Sequence, residues 1–220
     1  AEEIHDNSKA QALLKLLSGI SEKVLIFTGF QRTREYLVDF LQNAGLKVAT
    51  LHGSMLRLEK ERAVDDFKNS AQVLVSTESG GEGRNLQFCN VIINYDLPWN
   101  PMRIEQRIGR IHRIGQKKDV FIYNLSAKDT IEAKILELLD AKINMFQLVV
   151  GELDMILGNL KEERDFEDII MDIWTGSKDE EELSRRLEDF GEQLMLAKKH
   201  YEQVKHLDDS LLGELLPDAE

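Results

Sequence analysis

Val24-Leu25-Ile26-Phe27-Thr28 is a run of four large apolar residues closed by a hydroxyl, and its surroundings decide the fold. A run this short and this apolar reads as a strand buried on both faces. Residues 31–43 follow, with Tyr36, Leu37, Phe40 and Leu41 at helical spacing and Asn43-Ala44-Gly45 as a stop signal. Leu46 to Leu51 reads as a second strand and residues 56–69 as a second helix. Gln72 to Ser76, Val91 to Asn94 and Val120 to Leu125 read as further strands. Strands alternating with helices imply βαβ units and a parallel, mostly buried sheet. The loops leaving its strands then line the carboxyl edge, where such folds bind ligands.

Beyond about residue 128 the pattern becomes nearly all helical. Ile131, Ile135, Leu138 and Leu139 form one apolar stripe, and Phe166, Ile169, Ile170, Ile173 and Trp174 another. After the break at Thr175-Gly176-Ser177, the residues Leu183, Leu187, Phe190, Leu194, Ala197, Tyr201 and Val204 recur at alternating intervals of four and three. That heptad seam fits either an amphipathic helix packed on the 160–174 helix or a partner-binding helical hairpin. Asp179-Glu180-Glu181-Glu182 reads as the acidic start of the seam helix, favourable to its dipole.

The second informative stretch is Gln106-Arg107-Ile108-Gly109-Arg110-Ile111-His112-Arg113-Ile114-Gly115-Gln116, with Arg103 upstream. Asn100-Pro101 is a helix start, since Asn caps orphan N–H groups and Pro suits the first helical position. Spacings of three and four place Arg103, Arg107, Arg110 and Arg113 on one helical face. Permanently charged guanidinium forks suit phosphate oxygens; the alternative is a solvated charged face, although Glu105 is the only acid between Arg103 and Arg113. The stretch Ser76-Thr77-Glu78-Ser79-Gly80-Gly81-Glu82-Gly83-Arg84-Asn85 directly follows a strand, and its glycines allow close backbone approach to a ligand. It reads as a phosphate- or ribose-contacting loop or as a long surface turn. His52 in His52-Gly53-Ser54 reads as a turn residue or a phosphate contact.

The chain has 220 residues, 31% charged and 42% hydrophobic, in the range of one globular domain with an appendage or two small domains. No apolar run reaches the ~18 residues of a membrane span, and the polar start from Ala1 to Asp6 is no secretory signal. A first residue other than Met implies a processed chain or a fragment. The net charge of −12 resides wholly in residues 141–220, while residues 101–120 hold six basic side chains against Glu105 and Asp119. That asymmetry implies two pieces with different jobs. Cys89 reads as a reduced core thiol, consistent with a cytoplasmic protein. No G-x-x-x-x-G-K-[ST] loop occurs, and no strand ends in a DE pair to hold Mg²⁺. Phosphate-directed arginines without those parts look like half of a site.

Five ordered blocks carry a family resemblance: Val24–Thr28; Leu51-His52-Gly53-Ser54 with Arg62 and Phe67; Val75–Thr77 through Gly80–Leu86; Asn94–Pro101; and Gln106-x-x-Gly109-Arg110-x-x-Arg113-x-Gly115-Gln116. Together they resemble the second RecA-like lobe of the superfamily-two helicase-related ATPases. They are most similar to the Swi/Snf group of double-stranded DNA translocases, in a microbial, RapA-like form. The resemblance implies an α/β fold, a RecA-like parallel sheet sandwiched by helices over residues 1–140; the acidic all-helical extension over 141–220 is read from charge and periodicity alone. It implies that Arg110 and Arg113 reach the phosphates of an ATP–Mg²⁺ held mainly by a first lobe, with Gln106, Glu82 and Gly83 also facing the nucleotide. It implies that Ser76 and Thr77 contact the DNA backbone and that Thr28, His52 and Gly53 lie near the tracked strand. Gly29 departs from the polar residue of many relatives, and Gly109 from the acidic residue of eukaryotic remodellers. The partners implied are double-stranded DNA and the first lobe, with no membrane and no metal ligands in this chain; the acidic helical tail, outside the resemblance, is a candidate surface for a protein partner. The location implied is the cytoplasm, at the nucleoid. A strand-separating helicase lobe and a non-catalytic partner-binding module are the alternatives.

Overall fold

The computed structural model describes residues 8–81, 83, 85–112, 118–128, 130–145, 152–160 and 165–215. It divides into two compact units between Lys128 and Asp129.

The first unit is built on five parallel strands: β1 (Val24–Phe27), β2 (Val48–Leu51), β3 (Val73–Ser76), β4 (Val91–Asn94) and β5 (Phe121–Asn124), in the order β2-β3-β1-β4-β5. Every residue of β1, β3 and β4 is buried, as central strands covered on both faces require. Alternation divides their side chains between two cores. Val24 and Ile26 pack with Val73, Val75, Val91 and Ile93 beneath α1 (Ser8–Ser18) and α2 (Gln31–Asn43). Leu25 and Phe27 pack with Leu74, Ile92 and Cys89 beneath α3 (Arg57–Asn69), whose Phe67 is fully buried. These strands start one or two residues inside several of the sequence limits, and α1 is an element the sequence reading did not name.

Two helical segments lie near the carboxyl edge. The glycine-rich stretch forms a single turn, α4 (Glu78–Gly81), rather than an open loop. Asn100 caps α5 (Pro101–Ile108) as its sequence implies, accepting from Met102 N at 2.9 Å. α5 ends at Ile108 with Gly109 as its C-cap, so Arg110 lies in the turn beyond the helix rather than on it.

The second unit holds α6 (Ile131–Ile143), α7 (Glu152–Gly158), α8 (Phe166–Gly176) and α9 (Glu180–Leu215). It begins ahead of residue 140, because α6 runs unbroken through that position and packs on α9. Leu187, Phe190, Leu194 and Ala197 of the heptad seam are buried within this unit, with Phe190 5.5 Å from Phe166. The seam is therefore an amphipathic face packed against α6, α7 and α8 over those turns; Val204 is exposed. Asp179 and Glu182 cap the start of α9 reciprocally: Glu182 N donates to Asp179 Oδ1, and Lys178 N donates to Glu182 Oε2. No helix among the described residues is long and apolar enough to cross a membrane.

Candidate functional site

The connections of the first unit focus attention on one edge. β1 leads toward β2 at one side of the sheet and β4 leads toward β5 at the other, and folds of this kind bind ligands beyond the carboxyl ends of strands at such a switch point. The loops after β1, β2, β3 and β4 all emerge there, carrying Thr28, His52, Thr77 and Asp96.

The β2 and β3 loops are fused by close backbone packing. Thr77 N donates to Leu51 O at 3.1 Å. A Cβ at Gly80 would stand 2.5 Å from the Leu51 carbonyl and 2.6 Å from His52 N, so only glycine fits. Gly83 adopts φ +72°, left-handed backbone that glycine enters without strain. Lys60 Nζ reaches Ser79 O at 3.4 Å from α3.

A buried polar network joins the β1, β3 and β4 loops to α5. Arg107 is 1% exposed. Its Nε donates to Glu78 Oε1 at 2.8 Å, and Nη2 donates to the same carboxylate. Nη1 donates to Asn94 Oδ1 and to Asp96 O, each at 2.9 Å. The guanidinium also lies 5.2 Å from the Phe27 ring centre. Asp96 in turn accepts from Gly29 N at 2.7 Å and from Thr28 Oγ1. Asn94 Nδ2 donates to Asn124 Oδ1 on β5 at 2.7 Å. One arginine thus ties the ends of three strands to the helix preceding Arg110.

This arrangement corrects the single arginine face. Pro101, Ile104 and Arg107 are the buried positions of α5, three residues apart, while Arg103 and Gln106 are exposed. Arg107 therefore points into the lobe, its charge taken by Glu78. Arg110 is half-buried in the following turn; its backbone carbonyl accepts from Leu86 N at 3.2 Å, and its side chain has no ion pair among the described residues. Arg103, Arg62 and Arg32 are likewise exposed and unpaired among the described residues. Arg113 and Glu82 lie outside the described residues. So do Arg84, Gly115 and Gln116.

The other expected contacts separate by burial. Thr28 and Ser76, expected at the DNA, have no exposed surface: Thr28 Oγ1 is committed to Asp96, and Ser76 Oγ donates to Thr77 O at 2.9 Å. Both organise loops from inside. Thr77 is 7% exposed, and its Oγ1 has no hydrogen-bond partner among the described residues. Gly53 and Gly83 are exposed. His52 Nδ1 lies 2.8 Å from Ser54 Oγ, as a turn residue would. Partial burial, and then the nearby Arg34 charge, pushes its pKa below the ordinary histidine value. Arg34 is itself buried, donating to Thr50 Oγ1 at 2.9 Å and pairing with Glu35. No group of three His, Cys, Asp or Glu side chains among the described residues could hold a metal ion.

The roles of Arg107, Glu78, Asn94 and Asp96 escaped the sequence reading. Their signal was present: Asn94 and Asp96 are polar residues at the end of a fully apolar strand, and Arg107 falls three residues after Ile104.

A five-stranded parallel sheet in this order, with helices on both faces, is a RecA-like lobe. Residues 8–115 match the helicase conserved C-terminal domain. The chain belongs to the Swi/Snf family of superfamily-two helicase-related ATPases, of which it carries the C-terminal lobe. It is 49% identical over 186 residues to the Bacillus subtilis (strain 168) protein named uncharacterized ATP-dependent helicase YqhH, which covers 84% of this chain and 33% of that one. It is 36% identical to a Mus musculus SWI/SNF-related matrix-associated actin-dependent regulator of chromatin, subfamily A member 1, over 68% of this chain and 15% of that protein. Among solved structures, the C-terminal part of the Fun30 ATPase domain is similar with a TM-score of 0.56 and 32% identity, over 79% of this chain and 57% of that one. The chain thus spans a third or less of these curated relatives.

Proposed function

We propose that this lobe is one half of an ATP-driven DNA translocase. It closes on ATP–Mg²⁺ held mainly by a first RecA-like lobe and shifts its grip along one strand of a duplex. The observation that carries this reading is the division of labour among the arginines. Arg107 is consumed inside the lobe by Glu78, whereas Arg110, three residues on, has no carboxylate partner among the described residues. A charge left unpaired beside a rigid scaffold is available to an incoming phosphate, and an arginine so placed stabilises the charge that develops on a transferred phosphoryl group.

In this proposal Arg110 and Arg113 supply that charge, and Gln106, Glu82 and Gly83 face the nucleotide. The Thr77 loop meets a DNA phosphate, its buried Oγ1 reaching that oxygen only when the loop shifts on closure, and the backbone at Gly53 and the turn at His52 follow the same strand. Thr28 and Ser76 hold these loops in place rather than touching DNA. Contacts confined to phosphate make binding sequence-tolerant and salt-sensitive.

The lobe completes an active site and does not contain one. The purified chain is therefore expected to bind duplex DNA without hydrolysing ATP. DNA-stimulated hydrolysis by the chain alone, lost in Arg113→Ala, would overturn this.

A further inference from the structure

Two helices of the first unit break a local rule at the same edge of the sheet. A helix N-cap normally carries Ser, Thr, Asp or Asn, whose side chain satisfies an orphan N–H. The chain obeys this at α5 and α6, where Asn100 and Thr130 make the cap bond. α2 begins instead behind Phe30 and α3 behind Leu56, neither of which can supply one. Both side chains are also turned out to solvent, Phe30 at 66% and Leu56 at 70% exposure. The sequence thus gives up the side-chain cap bond and apolar burial together, twice, offset at α3 only by Glu59 accepting from Leu56 N. Such breaches concentrate at functional positions.

The two residues occupy equivalent places. Phe30 ends the loop after β1 and Leu56 the loop after β2, and these strands flank β3, whose loop carries Thr77. Phe30 is held rigidly. Its N donates to Thr28 Oγ1 at 3.3 Å, its carbonyl accepts from Arg34 N at 3.0 Å, and Gly29 before it is pinned by Asp96. Leu56 N donates to Glu59 Oε2 at 2.7 Å. A large ring on a fixed mount loses little freedom when covered. Two residues on from Phe30, Arg32 is exposed and has no ion pair among the described residues.

We propose that Phe30 and Leu56 are the apolar contacts of the nucleic-acid track, pressing on deoxyribose faces between the phosphates of the bound strand. The assignment rests on the DNA reading above. It adds a component of affinity that salt does not screen: phosphate contacts release counterions, whereas an apolar contact with a sugar releases none.

The test is duplex binding by the chain, measured by fluorescence anisotropy across a salt series, for wild type, Phe30→Ala, Phe30→Tyr, Leu56→Ala and Arg32→Ala. Phe30→Ala is expected to weaken binding about fivefold or more at every salt concentration with an unchanged slope of log K against log salt. Phe30→Tyr should retain most of the affinity, and Leu56→Ala should behave as a milder Phe30→Ala. Arg32→Ala should lower the slope by about one. Thermal unfolding guards against misfolding and should be nearly unchanged for Phe30→Ala, whose ring is mostly exposed. Wild-type affinity in both Phe30→Ala and Leu56→Ala, with Arg32→Ala still losing slope, overturns this proposal and leaves the DNA reading standing. Absence of duplex binding by the wild-type chain defeats the DNA reading, and this proposal with it.

Discussion

Arg107→Ala should destabilise the first unit severely, although an arginine in a basic motif is usually a tolerant surface position. Removing one partner of a buried ion pair leaves the other charge uncompensated, at about 3–5 kcal/mol. Glu78 is a third exposed, so water recovers part of that cost. Two further acceptors, Asn94 Oδ1 and Asp96 O, lose a charged donor at 2.9 Å, at about 1–3 kcal/mol each where burial is complete. Arg107 is also among the largest fully buried side chains, and truncation leaves a void beneath Phe27. A net loss of about 3–5 kcal/mol is expected, a large share of the roughly 5–15 kcal/mol that holds a domain folded. At ~2–4 °C per kcal/mol for a chain of this size, the first unit should melt roughly 6–20 °C below wild type. Calorimetry with hydrogen exchange on β1, β3 and β4 separates this unit from the helical one. Arg107→Lys should fall between, since one ammonium cannot span Glu78, Asn94 and Asp96 together. Arg110→Ala is the control and should shift stability by no more than about 0.5 kcal/mol. Equal melting of Arg107→Ala and Arg110→Ala would refute the strut.

Other expectations follow from the same packing. Gly80→Ala drives a Cβ to 2.5 Å from the Leu51 carbonyl, so it should cost about 2 kcal/mol or more in urea unfolding and weaken DNA binding through the displaced β2 loop. Burial pushes the Cys89 thiol up to about 11. Its contribution to stability is therefore complete below the unfolded value of 9.0 and lost as pH rises through about 11. Aromatic disulfide reagents at pH 8 should label it at least ~100-fold faster in urea than in the folded protein, following the opening equilibrium. In the second unit, a Cβ at Gly191 already stands 2.6 Å from Leu138 Cδ1 and 2.9 Å from Lys142 Cε. Gly191→Val should force α6 from α9 and lower that unit's melting temperature, whereas Gly158→Val, with open space around it, should leave α9 packed as before.

The sheet was legible because its central strands are buried on both faces. Val24–Phe27, Val73–Ser76 and Val91–Asn94 are buried throughout and apolar but for Ser76 and Asn94 at their carboxyl ends, and no periodic helix competes for them. The start of α5 was equally plain, since Asn100 and Pro101 each have one physical use there. What failed was direction. Spacing of three or four places arginines near one another on a helix but does not say which side faces the core, and at α5 Ile104 sets that side. Because Arg107 lies three residues beyond Ile104, it turns inward, and the helix ends before Arg110. The acceptors that make burial of Arg107 tolerable come from residues 78, 94 and 96, brought together only by the β3-β1-β4 order. The same order decides that the hydroxyls of Thr28, Ser76 and Thr77 are all interior, and that among the described residues only that of Thr77 is without a partner.

The reading of this lobe as the arginine donor of a two-lobe motor is tested most directly by ATP hydrolysis in the protein carrying both lobes, with saturating duplex DNA. Arg110→Ala is expected to lower kcat by about 10³-fold or more, with duplex affinity and melting temperature at wild-type values. Hydrolysis by Arg110→Ala within a few-fold of wild type would contradict it.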